Sequence, residues 1–125
     1  MSNESWPRPP AAVPHGLLDE VPSGAQIVVA GIVLVRQRPG TAKGVIFLTL
    51  EDETGIVNVV VWDKVFQQYR RAVVAGRLLR VSGRLERKEG VTHLLAEVIE
   101  DVSFLLDELA NPDFLAQVDG EPDET

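Results

Sequence analysis

VIFLTLEDETGIVNVVVW, residues 45–62, decides how this 125-residue chain folds. Its side chains alternate: Ile46, Leu48 and Leu50 share one face, and Phe47, Thr49 and Glu51 the other. Asp52-Glu53-Thr54-Gly55 then reads as a tight turn, after which Val57, Val59 and Val61 alternate with Asn58, Val60 and Trp62. Two period-two runs on either side of such a turn spell a hairpin. The all-aliphatic sets are its inner face, which leaves Phe47, Asn58 and Trp62 on the outer surface.

Upstream, Gln26 to Gln37 is dense in Val and Ile and is broken by Pro39-Gly40. Its inner set is expected to be Val29, Gly31, Val33 and Val35, with Ile32, Leu34 and Arg36 outside. Downstream, Val65, Phe66, Tyr69 and Val73 fall at helical spacing across Asp63–Val74, with Asp63 as N-cap and Gly76 as the stop. Two more strands follow, Arg77–Leu85 and Val91–Ile99, joined by a loop at 86–90. In the first of them Leu79, Val81, Gly83 and Leu85 point in, and Arg80, Ser82 and Arg84 point out. A short helix from Ser103 to Leu109 closes the domain.

The order is β-β-β-α-β-β within about 75 residues. Five antiparallel strands with a helix between the third and fourth are the layout of an OB-fold barrel, an all-β class. An SH3-like barrel is the other small closed fold, and the helix placement argues against it. Residues 1–24 carry Pro7, Pro9, Pro10, Pro14 and Pro22 and read as a linker, within which Gly16–Val21 can form a turn that packs on the domain. Residues 25–109 are the barrel domain, and 110–125 an acidic tail.

The formal charge is −7, which taken whole argues against nucleic acid. It is unevenly distributed. Residues 25–96 hold eleven basic and six acidic side chains, a net of +5, whereas 97–125 hold ten acids and no base. Either the acidic segment is solubilising, or it lies over the basic groove in place of phosphate. With no Cys and only two His, disulfides and thiolate metal sites are excluded. No apolar run is long enough to span a bilayer and no signal peptide is visible, so a soluble cytoplasmic protein without membrane contact is expected.

Exposed aromatics with flanking cations are what a single-strand binding face needs, since bases stack on rings and cations follow phosphates. The candidate residues are Phe47, Asn58 and Trp62 on the hairpin, and Arg80 and Arg84 on the fourth strand. Arg36, Arg38 and Lys43 stand in or beside the loop between strands one and two, and Arg87 and Lys88 beside that between strands four and five. These two loops flank the groove in OB-folds. Phe47 and Trp62 can alternatively pack beneath the linker or the last helix. The Glu51-Asp52-Glu53 triplet is not a metal site, because neighbouring strand residues diverge. Ser23, Ser82 and Ser103 have no visible triad partners, and no Walker spacing occurs. No catalytic residue, cofactor or metal is implied.

Val29-Ala30-Gly31, Phe47 to Asp52 and Thr54 to Val60 resemble the V-x-G … F-x-x-L-x-D-x-x-G signature of OB-fold nucleic-acid-binding domains, including the anticodon-binding domains of aspartyl- and lysyl-type tRNA synthetases. The resemblance implies base stacking for Phe47 and a base contact for Asn58. VLVRQRPGTAKGVIFLTLEDETG, residues 33–55, with VNVVVW, Arg70-Arg71, the GRL at Gly83 and HLLAE, is similar to the C-terminal OB domain of bacterial error-prone, DnaE-type DNA polymerases. That similarity covers about residues 16–109. It implies non-catalytic binding of single-stranded nucleic acid, DNA in repair or replication, with replication or repair proteins as partners. The polymerase palm is absent, Asp63 replaces a frequent proline, and Met1 with its linker favours a separate small protein over a fragment. The other functional reading is a protein-interaction or dimerisation module, with Ile32, Leu34, Val60 and Trp62 as one apolar patch.

Overall fold

Five strands close into a ring in the computed structural model, which describes residues 12–38 and 44–106. They are β1 (Gln26–Gln37), β2 (Val45–Asp52), β3 (Gly55–Trp62), β4 (Leu78–Lys88) and β5 (Val91–Asp101), ordered β1-β2-β3-β5-β4. The expected five-stranded OB-fold barrel is therefore what forms. It is not wholly antiparallel, however. An odd number of strands cannot alternate direction all round a ring, so one seam must be parallel. That seam is β3–β5, a short ladder of Asn58, Val59 and Val60 against His93, Leu94 and Leu95.

The inner sets of β2, β3 and β4 lie where alternation puts them. Leu48, Leu50, Val59, Val61, Leu79, Val81 and Leu85 are fully buried, joined by Val29, Leu94 and Ile99. Burying each such aliphatic side chain contributes about 1.5–3 kcal/mol. On β1 the expected pattern fails after Val33. The β1–β2 register shifts between Val33 and Val35, so a bulge inserts Leu34 and reverses which residues face in. Val35 then lies opposite Thr49 and is 42% exposed, while Arg36 lies opposite Leu48 on the inner side. Sequence alternation had these two the other way round.

One helix was expected over Asp63–Val74; two short ones form, α1 (Asp63–Gln68) and α2 (Arg70–Ala75). They meet at Tyr69, whose backbone leaves the helical region at φ −121°, ψ 31° while its ring packs against the core. Asp63 is not the N-cap. Trp62 holds that position in extended conformation, and the Asp63 carboxylate instead accepts a bond from Gln67 Nε2 at 3.3 Å. Gly76 does end α2, but at φ −67° rather than left-handed. Glycine is needed there for room, since a Cβ would stand 2.6 Å from the Ala72 carbonyl and strike Leu79.

The expected 86–90 loop shrinks to Glu89-Gly90, because β4 continues to Lys88. Both turn residues have positive φ (54° and 80°), the twist that suits a two-residue hairpin turn. Upstream of β1, His15–Glu20 forms a 3-10 helix that buries His15 and Leu18 against the barrel. After β5, helix resumes at 104–106, and the rest of the expected Ser103–Leu109 helix lies outside the described residues. No helix among the described residues is long and apolar enough to cross a membrane.

Candidate nucleic-acid interface

The outer faces of β2 and β3 bear alternate residues of the same strands that fill the core, and β5 extends that surface across the parallel seam. Register lines up Gln37, Phe47, Val60, Leu95 and Arg84 in one row over five strands. The β4–β5 hairpin outruns the seam, so Lys88 and its partner Val91 rise beyond it as a wall. Between hairpin and sheet lies a groove of about 510 Å³, lined by Val45, Phe47, Val60, Trp62, Val91, His93 and Leu95, with Glu86, Lys88 and Glu89 at its edge. Phe47 is half-buried in this lining, and Trp62 stands 54% exposed. Neither is sealed beneath the described part of the N-terminal segment or of the last helix.

Of the ten residues singled out from sequence, the structure brings Phe47, Trp62 and Lys88 together in the groove. Arg84 stands one strand beyond Leu95 and pairs with Glu86 at 3.1 Å. Exposed pairs of this kind contribute about 0–1 kcal/mol and exchange partners readily. Asn58 neighbours His93 across the seam, and its Oδ1 accepts a bond from Thr49 Oγ1 at 3.4 Å. It also lines a second cleft of about 360 Å³ between the 3-10 helix and the β4–β5 turn.

The other cations are placed elsewhere. Arg36, re-aimed by the bulge, donates to the carbonyls of Val73 (2.7 Å) and Gly76 and so binds the end of α2 to β1. Arg38 follows it inward, its guanidinium 4.8 Å from the centre of the Phe66 ring. Arg80 pairs with Glu100 on the β4–β5 side of the barrel. Arg87 holds the 3-10 helix down, donating to the carbonyls of Leu18 (2.7 Å) and Val21 (2.9 Å). Lys43 lies outside the described residues, as does the acidic tail. Because β5 runs to Asp101, Glu97, Glu100 and Asp101 belong to the barrel, and the +5 counted to residue 96 falls to +2.

Sequence reasoning missed Val45, Val91, His93 and Leu95 as groove residues. Alternation in VTHLLAE puts His93 and Leu95 on one face, but their place beside β3 depends on a pairing between strands 35 positions apart. The patch of Ile32, Leu34, Val60 and Trp62 does not assemble. Ile32 faces Glu51 at one end of the β2–β3 ladder and Trp62 faces Val45 at the other, roughly 20 Å along the strands.

Asp52 is a turn-builder, as its spacing from Thr54 and Gly55 suggests. Its Oδ1 accepts bonds from Thr54 N (2.8 Å), Thr54 Oγ1 (2.7 Å) and Gly55 N (3.0 Å), and its Oδ2 from His15 N (2.9 Å). The His15 imidazole donates through Nδ1 to the Gly55 carbonyl at 3.1 Å and lies 3.6 Å from the same carboxylate. Burial pushes the Asp52 carboxyl up. The bonds from Thr54 and His15, with the nearby imidazole, together outweigh burial and hold it below the usual carboxylate value. Among the described residues no group of His, Asp or Glu is arranged to hold a metal.

A closed five-strand barrel with an aromatic groove on its β2–β3 face defines an OB-fold module, and this chain belongs to the OB-fold nucleic-acid-binding domain family, whose model matches residues 27–102. Its relatives are more particular. It is 55% identical, over 85% of its length, to an error-prone DNA polymerase of Ruegeria pomeroyi, and 56% identical, over 67%, to error-prone DNA polymerase 1 of Rhizobium meliloti. The matches cover 10% and 8% of those proteins, so the chain spans about a tenth of the curated relatives it resembles. Among solved structures it is similar to asparaginyl-tRNA synthetase from Pyrococcus horikoshii, with TM-score 0.54 and 30% identity over 74% of this chain and 25% of that one. The S. pombe Stn1-ten1 complex shares the fold, with TM-score 0.56 and 21% identity over 68% of this chain and 63% of that one.

Proposed function

We propose that the chain binds single-stranded nucleic acid, DNA in a replication or repair setting, without catalysing a reaction on it. The observation that carries this reading is the groove: an apolar trough floored by Phe47 and Val60, open at an exposed Trp62 and edged by Lys88. Bases stack on such rings for about 1–3 kcal/mol each, independently of sequence. Family membership and the DNA polymerases among the relatives support nucleic acid, and DNA in particular, as the partner. One lysine and an exchangeable Arg84 give few phosphate contacts, so affinity is modest and falls with salt. Replication or repair proteins are the partners that this setting implies.

Trp62 supplies the assay. In a Trp6→Phe background, Trp62 is the one remaining indole, and its fluorescence should fall as oligothymidylate fills the groove. Phe47→Ala should weaken binding by about 1–3 kcal/mol, roughly fivefold to 150-fold. The same lengths in RNA decide between the two nucleic acids. Absence of quenching and of binding at low salt defeats the proposal.

A further inference from the structure

The bulge in β1 sends two arginines away from the groove, and they meet a third. A cavity of about 290 Å³ beside α1 and α2 is lined by Arg36, Gln37, Arg38, Phe66 and Arg70, and among the described residues no Asp or Glu lines it. Arg36 is occupied by the carbonyls at the end of α2. Arg38 and Arg70 are not bonded to any described residue. Their guanidinium carbons lie 4.8 and 5.1 Å from the centre of the same Phe66 ring, so they stand at most about 10 Å apart. Phe66 is buried, which fixes its ring as a platform for both. Like charges gathered at one ring repel unless an anion lies between them. Guanidinium donors suit phosphate oxygens in particular.

We infer that Arg38 and Arg70 form a second anion site, which takes one internal backbone phosphate of the strand whose bases occupy the groove. Continuity supports this choice of ligand. Gln37 lines the arginine cavity, Phe47 lines the groove, and the two are direct partners in the β1–β2 ladder. Side chains so paired stand about 4.5–5.5 Å apart, a step that a single-stranded backbone crosses within a few nucleotides. A chain leaving the stacking floor past Gln37 therefore arrives at the arginines. The inference rests on the groove reading above and adds to it a residue on a different element, Arg70 of α2.

Oligothymidylates of about three and about twelve nucleotides, titrated over a salt series, test it. The double variant Arg38→Gln with Arg70→Gln should bind the long oligonucleotide roughly tenfold more weakly at low salt, with its log–log salt slope reduced by about 0.7, the value for one single-strand phosphate. Binding of the short one, confined to the groove, should be unchanged. Arg38→Lys with Arg70→Lys keeps charge and stem over Phe66 and should retain the slope. Equal urea midpoints confirm that the variants fold. An unchanged slope in the Gln pair overturns the anion site, and leaves the groove standing if Phe47→Ala weakens both oligonucleotides. A flattened slope with Phe47→Ala harmless upholds the arginines and overturns the groove. If the wild type binds neither oligonucleotide, both fall.

Discussion

Replacing Asp52 by Asn alters one atom in kind and leaves the shape unchanged, which makes it a sharp probe of the β2–β3 turn. The carboxylate accepts four bonds: three at Oδ1 from Thr54 and Gly55, and one at Oδ2 from the His15 N–H. An amide oxygen can keep the first three without the help of charge. Its NH2 then faces the His15 N–H, donor against donor, so that bond is lost and two donors are set against each other. Hydrogen bonds to charged groups contribute about 1.5–3 kcal/mol each, and a buried donor that loses its acceptor costs about 1–3. Their effects overlap, giving an expected loss of about 2–3 kcal/mol out of a typical 5–15. Urea unfolding should show a lower midpoint at unchanged m-value near pH 7. The pH dependence carries a sign of its own. Because the folded carboxyl is held below its unfolded value, its contribution is whole above about pH 4 and is lost as pH falls through the depressed folded value. The gap between wild type and Asp52→Asn should therefore narrow in acid. A gap below about 0.5 kcal/mol at neutral pH, or one that stays constant into acid, refutes the assignment.

Arg36→Ala should destabilise the barrel by about 1.5–3 kcal/mol, because its guanidinium holds two carbonyls at the end of α2. It should leave the salt slope of oligonucleotide binding nearly unchanged, which separates a structural arginine from a phosphate contact in one pair of measurements. Gly83→Ala should abolish folding or cost more than about 3 kcal/mol, since its Cβ would overlap the Leu95 carbonyl at the β4–β5 register shift. Circular dichroism at room temperature checks this, and a folded variant with a normal midpoint contradicts it.

The order of the strands, the burial pattern of β2 through β4 and the helical segment between β3 and β4 were legible because they follow from neighbours in sequence, whereas β4 and β5 run three and two residues past their expected ends at Leu85 and Ile99. The bounds of β1 were legible too, but its faces beyond Val33 were not. Val33, Leu34 and Val35 all suit a strand, so nothing local marks Leu34 as the one left unpaired. That single slip reversed the reading of Arg36 and Arg38 and turned the expected groove cations into a helix clamp and a ring-bound arginine. Arg87 was misplaced for a different reason. Its partners, the Leu18 and Val21 carbonyls, lie 69 and 66 positions away, and backbone acceptors have no sequence signature. Period two alone assigns Phe47 and Trp62 to the outer face, while Leu95 needed the parallel seam to become their neighbour.

The unequal lengths of the seams have a consequence for how the molecule comes apart. β1, β2 and β3 are joined by consecutive pairings, and β4 and β5 by a long hairpin, so the barrel consists of two locally built pieces. These pieces meet along β1–β4 and along a β3–β5 contact of only three residue pairs. Contacts between pieces so far apart in the chain are the last to repay loop closure and the first to open in native-state hydrogen exchange. The groove straddles that short seam, with Phe47 and Trp62 on one piece and His93 and Leu95 on the other. Whatever fills it fastens the two pieces together. Occupancy should thus appear as slowed exchange at Val59 and Leu94 and as a stability that rises with RT ln(1 + [L]/Kd), coupling the hold on a ligand to the closure of the barrel itself.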